Sequence, residues 1–586
     1  MFAAALVCSV IVTINAQAPT PSTTSAAAQH QPAVTLKAAS RMVSVEVVAK
    51  DHQGHAITGL TAGDFQVFEK IEGKHEQFPE KIAAFRAISV SEFATHDAGK
   101  VKLPPGLYSN LVTMDKVPVP PTVLLIDGIN TSRDAQMQVH QQMVKMLSSI
   151  PDDVPVAVFL LGRRLVRIQD FTTDIKLLKT AIQKSINVES NAGTEVQPID
   201  DPEAMSAFLE DDPQVSADSL GALEQFEREV YAMQMDLRVR ETLDALRAIA
   251  RHLAGYPGRK NLLWISSSFP IAIEPDMDLG WSGFRNYQSD MATVTTALAD
   301  AKVAVYPMDP AGLQSQSVFQ ASNRVRGAAV RDPRRFGQQI QREDTSRYDR
   351  QQSMEVLAEH TGGIVCVENN DLGDCVRKAV NDGGSFYEIA YYPDSSNWHG
   401  EFHKIIVKSG KSGVKLAYRQ GYYAKPDEDS EQNSKDAQQV ACQDYLTSTS
   451  VLLVAKQYPA EKPGEGKFYT AVYPTTLTFV LQDDGSRKLD LTYAVCAFDR
   501  SGKPLQFMHQ DFEAKLTDKQ YGEIQSQYGF PHIMIFPIAP GTSRLRLLVR
   551  DLASGRMGSV NVPYSELSAV SVPADAPKSE SQSTAH

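Results

Sequence analysis

Between residues 120 and 392 the chain alternates continuous apolar runs with helical segments, and this alternation limits the fold more than any other feature. Thr122-Val123-Leu124-Leu125-Ile126 reads as a strand covered on both faces, because neither set of alternate positions is left polar. Thr131 or Ser132 is placed to cap a helix whose Met137, Val139, Met143, Val144 and Leu147 recur at helical spacing. Val154 to Leu161 repeats the strand signal, and Ile175, Leu177, Leu178 and Ile182 repeat the helix signal behind Thr172-Thr173-Asp174. Further on, Leu243 to Leu253 leads to the strand Asn261 to Ile265, and Met291 to Ala301 leads to Val303 to Tyr306. Met354 to His360 leads to Gly363 to Val367, and Leu372 to Val380 leads to Phe386 to Tyr392. Such an order predicts an α/β fold with a doubly wound, mostly parallel sheet. Ligands of such sheets bind at the carboxyl ends of the strands.

On either side the periodicity changes to two. Val43, Val45 and Val47 alternate with Ser44 and Glu46, and Leu489, Leu491, Tyr493 and Val495 alternate in the same way far downstream. Turns at Asp51-His52-Gln53-Gly54 and Asp499-Arg500-Ser501-Gly502 resemble one another. The expected organisation is a small β-sandwich at 40–95, an α/β domain at 120–424 with inserts at 186–235 and 313–350, and a second β-sandwich at 441–565. Residues 19–39, 96–119 and 425–440 read as linkers, and 566–586 as a polar tail.

Phe2 to Ile14 is too short an apolar run to span a bilayer but matches the core of an export signal, and Ala16-Gln17-Ala18 supplies a cleavage pattern. Residues 1–18 are therefore expected to be a signal peptide and the chain to be periplasmic or secreted. No other run is long enough for a transmembrane helix. A net charge of −12 leaves no basic footprint for nucleic acid. Beyond the signal the cysteines are Cys366, Cys375, Cys442 and Cys496, an even number in an oxidising compartment. None sits in a Cys-x-x-Cys pair, so they read as disulfide candidates rather than zinc ligands. Cys366 and Cys375, one in a strand and one in the next helix, are close enough in sequence to pair with each other.

The two inserts are opposite in sign. Residues 189–229 carry Arg228 as their only cation among many carboxylates, and 324–350 are rich in arginine. Both read as solvated loops, with mutual pairing or an anionic partner for the arginines as the alternatives.

Several phrases resemble the acidobacterial VWFA-related family. They are Gly59-Leu60-Thr61-Ala62-Gly63-Asp64-Phe65-Gln66-Val67, Leu124-Leu125-Ile126-Asp127 with Asn130-Thr131, Pro257-Gly258-Arg259-Lys260-Asn261-Leu262-Leu263-Trp264, and Arg419-Gln420-Gly421-Tyr422-Tyr423-Ala424. The resemblance implies a central doubly wound von Willebrand factor A-like (Rossmann-like) domain flanked by two small β-sandwich domains, in an exported protein. It also implies where a metal-dependent adhesion site would lie. Asp127 matches the first ligand of that pattern and Thr131 the last of its loop, but Ile129 stands where a coordinating serine belongs. Ser266-Ser267-Ser268 stands where the third loop has Thr-Asp-Gly, so that aspartate is missing. Thr242 is the candidate for the second-loop threonine. With one carboxylate left, Asp127 and Thr131 form a degenerate and weak Mg²⁺ site, and no other cofactor is implied.

Enzyme motifs are missing: there is no His-Glu-x-x-His and no Gly-x-Ser-x-Gly. Gly410-Lys411-Ser412 imitates the end of a P-loop but lies between strands, where it makes a turn. The sequence thus reads as a non-enzymatic, exported protein that binds an extracytoplasmic protein or cell-envelope polymer. The expected contact surface gathers Asp127, Asn130, Thr131, Thr242, Ser266, Ser267 and Ser268 at the strand ends. The alternatives are a hydrolase with an unrecognised site at the same strand ends, and a structural envelope component.

Overall fold

A computed structural model describes residues 35–37, 42–89, 103–111, 120–131, 142–191, 209, 214–256, 258–266, 287–309, 352–367, 372–393, 400–424, 438–444, 446–482, 484–526 and 529–564. Its centre is a five-stranded sheet in the order Val303–Met308, Lys260–Ile265, Thr122–Asp127, Val156–Leu161, Leu165–Thr172. The first four strands are parallel and the last is an antiparallel edge. Every residue of Thr122–Asp127 is buried, and successive side chains leave by opposite faces. Val123 and Leu125 pack on Leu243, Leu246, Ile249 and Leu253 of the helix Ala217–Leu253, together with Met291, Val294 and Leu298. Leu124 and Ile126 pack on Met143, Leu147, Leu178, Ile182, Val376 and Val380. Helices on both faces explain why the strand sequence has no polar alternation. Truncating Leu125 to Ala would cost about 2–5 kcal/mol in such a core.

The expected strand Gly363 to Val367 is reduced to a single parallel bridge between Met308 and Cys366 at the sheet edge. The next expected strand does not join this sheet at all. Ser385–Tyr391 pairs antiparallel with Val43–Lys50 on one side and Ile82–Ser89 on the other. Phe402–Ser409 likewise pairs with Phe65–Ile71 and with Gly421–Tyr423. Two four-stranded sheets result, and Val45, Val47, Phe65, Val67, Tyr387, Ile389, Ile405 and Val407 share one core between them. The boundary expected at 424 is therefore corrected: residues 385–423 complete the β unit that begins at residue 43. The intervening chain is an insertion, and its two ends are neighbours, because Ser385 is the register partner of Ser89.

Two expected linkers also take part in sheets. Leu107–Ser109 is an edge strand against Val454–Lys456, and Asn110 holds the crossing by donating to the carbonyls of Ser448 and Val451, both at 2.8 Å. Thr35–Lys37 pairs parallel with Phe479–Leu481. The rest of the C-terminal unit is antiparallel, with Arg487–Phe498, Arg544–Asp551 and Met557–Pro563 side by side, and one core joins its two sheets.

The acidic insert also departs from expectation. Its second half is helix, since Ala217–Leu253 starts inside the 186–235 segment. Ser216 caps it by accepting from the Ser219 amide at 3.2 Å. The arginine-rich 324–350 stretch lies outside the described residues, as do residues 1–18. Cys366 and Cys375 have Cα atoms 6.3 Å apart, and Cys442 and Cys496 5.9 Å apart, so both pairs stand at disulfide distance. No described helix is long and apolar enough to cross a membrane.

Candidate functional site

Asp127 ends the central strand, where a parallel sheet leaves its carboxyl ends uncapped, and it is only 1% exposed. Its carboxylate is met by N–H donors. Oδ1 accepts from the Asn130 amide at 3.0 Å, and Oδ2 accepts from the Asn130 side chain at 2.9 Å. The Trp264 indole donates to Oδ2 at 3.0 Å, and the Ser266 hydroxyl adds a further bond. The Asn130 side chain also reaches Thr242 Oγ1 at 2.8 Å, and that hydroxyl donates back to the Arg238 carbonyl at 2.8 Å. One carboxylate thereby ties together a strand end, its following turn, the neighbouring strand and the long helix. Burial raises the carboxyl's pKa, against the pull of these hydrogen bonds.

The structure brings together Asp127, Asn130, Thr242 and Ser266 and buries Thr131 beside them. Ser267 and Ser268 lie outside the described residues. One expectation changes. Asn130, Thr131, Thr242 and Ser266 are all buried, so these side chains lie beneath the strand-end surface and do not form it.

Trp264 is the member that sequence reasoning missed. It reads there only as a bulky strand residue. Its register partner on the central strand is Leu125, which sets its indole diagonally across from Asp127 on the same face.

The donor set does not fit a Mg²⁺ ion at Asp127 and Thr131. A Mg²⁺ ion needs lone pairs free to point at it in near-octahedral geometry. Here the indole N–H and the Asn130 N–H groups already aim at those lone pairs, and an indole nitrogen cannot turn acceptor. Among the described residues, no group of three or more His, Cys, Asp or Glu side chains is placed to hold a metal.

The long helix carries this site at its middle and is clamped at its end. Arg251 Nε and Nη2 both donate to Asp444 Oδ2, at 3.0 and 2.6 Å. His252 Nδ1 donates to the Thr447 carbonyl at 2.8 Å, and the Gly255 amide to Thr449 Oγ1 at 2.8 Å. A Cβ at Gly255 would lie 2.4 Å from the Thr449 carbonyl oxygen, so glycine alone permits this approach.

No family model matches the chain, and no curated protein matches it. Solved structures similar to it in part include the following three. An aerotolerance-related membrane protein from Bacteroides fragilis with multiple mutations to serines is 9% identical over 45% of this chain and 98% of its own, with a TM-score of 0.23. BatB from Bacteroides thetaiotaomicron, a conserved hypothetical protein, is 8% identical over 32% and 66%, with a TM-score of 0.18. A von Willebrand factor type A protein from Catenulispora acidiphila is 8% identical over 62% and 81%, with a TM-score of 0.21.

Proposed function

We propose that the chain is an exported, non-enzymatic binding protein. In this reading its central domain is von Willebrand factor A-like and offers the loops at the strand carboxyl ends to an extracytoplasmic protein or envelope polymer. The observation that carries the reading is the Asp127 carboxylate, buried and accepting from Asn130 and Trp264. A carboxylate so engaged serves neither as a general base with access to substrate nor as a metal anchor; it fixes the shape of the loops around it. Asp127 is thus a positioning residue and the contact surface lies above it.

Capture from an envelope fraction of the source organism tests it. Wild-type chain should retain the same partner with and without EDTA, whereas Asp127→Ala should retain about tenfold less, as expected when a binding loop loses preorganisation. Elution of the partner by EDTA would count against it, and turnover of an ester, peptide or glycoside substrate abolished in Asp127→Ala would replace it with the hydrolase reading.

A further inference from the structure

Phe226, Met233 and Leu237 are among the most exposed large apolar side chains described, at 63%, 65% and 45%. All three lie on the helix Ala217–Leu253, and half-buried Leu223 and Val230 fall between and before them. The five follow each other at alternating steps of three and four residues, which places them along a single seam of the helix. The first buried residue of this helix is Asp236. No residue from Ala217 to Met235 is fully buried, although at about 1.5 Å per residue the stretch is about 28 Å long. Helices draw most of their stability from packing an apolar face, and on this face Phe226, Met233 and Leu237 stand exposed. An exposed apolar stripe about 21 Å long, from Leu223 to Leu237, marks a place where something else packs.

The charges beside the seam say what kind of helix fits. Glu241 follows the seam on one flank and Glu229 precedes it on the other. Arg228 is the only cation from Ala217 to Met235 and already pairs with Glu224 at 3.9 Å. A second copy would bring carboxylates against carboxylates at the flanking positions, whereas Lys or Arg there would be complementary. At the foot of the seam, Asp236, Arg240, Asp244, Arg247 and Tyr287 line a cavity of about 460 Å³, open to receive a side chain from above.

We infer that this seam docks an amphipathic helix of another protein, apolar along one stripe and basic beside it. The inference does not depend on the strand-end reading, since none of the seam residues touches the Asp127 cluster through a hydrogen bond described above.

The test uses the full chain and two synthetic helical peptides, each with Leu at the seam positions, one with Lys and the other with Glu at the flanking positions. Fluorescence anisotropy should show binding of the Lys peptide, at least about tenfold weaker binding of the Glu peptide, and about tenfold loss of Lys-peptide binding in the Phe226→Ser/Met233→Ser double variant. Both substituted residues are exposed, so the melting curve of the variant should match the wild type. Equal affinity of the Lys peptide for wild type and double variant would overturn the inference, as would no binding of either peptide. Sedimentation showing a wild-type dimer that the double variant abolishes would make a second copy the occupant and overturn it too.

Discussion

Trp264 Nε1 donates to Asp127 Oδ2 across 3.0 Å, joining the end of the central strand to its neighbour inside the core. Removing the donor and keeping the bulk isolates this bond. Trp264→Phe should lower stability by about 1–3 kcal/mol, the cost of leaving a buried carboxylate oxygen one donor short. Urea denaturation followed by circular dichroism measures it, and an unchanged midpoint would show the bond to be dispensable.

The clamp at the other end of the long helix makes a separate prediction. Arg251 and Asp444 are both mostly shielded, and burial raises the Asp444 pKa although Arg251 pulls it down. Arg251→Ala should destabilise the chain by about 1.5–3 kcal/mol, as for a hydrogen-bonded charge left without its partner. Asp444→Asn keeps an acceptor and should cost less. Equal losses in thermal denaturation would mean that charge, and not the hydrogen bonds, holds the helix to the C-terminal unit.

In the first β unit, His403 is fully buried against Glu69 at 3.0 Å, with Tyr391 and Tyr422 donating to the same carboxylate at 2.7 and 2.8 Å, and Glu401 facing the other ring nitrogen at 3.4 Å. Burial pulls the imidazole pKa down, but Glu69 and then Glu401 outweigh it and raise it above 6.5. A raised folded pKa means that this contribution is complete below 6.5 and is lost as pH rises through the folded value. The stability advantage of wild type over His403→Gln should therefore shrink on going from below 6.5 to alkaline pH. A difference independent of pH would show a neutral histidine.

The cysteine pairs differ in the loop they close. Cys366 and Cys375 are 9 residues apart, and Cys442 and Cys496 are 54 apart. Chain-entropy reasoning gives about 3 kcal/mol for the first and about 4 kcal/mol for the second. Non-reducing peptide mapping of exported material should recover both pairs, and Cys496→Ala should lower stability more than Cys375→Ala. Free thiols at all four positions would remove the disulfide reading.

The parallel sheet was legible because strands covered on both faces are largely apolar, as Val123 to Ile126 and Val156 to Leu161 are. The split β unit was not. Phe386 to Tyr392 reads as a strand of the parallel sheet and 402–409 as an alternating strand, but neither carries a record of its partner, and Val43–Lys50 and Phe65–Ile71, which they pair with, lie more than 300 residues upstream. Charge obscured the long helix: Glu224, Glu227 and Glu229 read as a solvated loop, while Leu223, Phe226, Val230 and Met233 supplied the helical period that outweighs them. At the site, Asp127, Asn130, Thr242 and Ser266 could be placed from the resemblance. Their burial and the indole of Trp264 depend on packing that no local pattern encodes.

Whether Asp127 shapes a loop or anchors a metal is decided most directly by isothermal titration of the full chain with Mg²⁺, after EDTA treatment and dialysis. With both carboxylate oxygens accepting from N–H donors, no saturable heat should appear at millimolar Mg²⁺, and Asp127→Ala should give the same flat trace. Sub-millimolar Mg²⁺ binding that vanishes in Asp127→Ala would contradict this and restore a metal-dependent adhesion site.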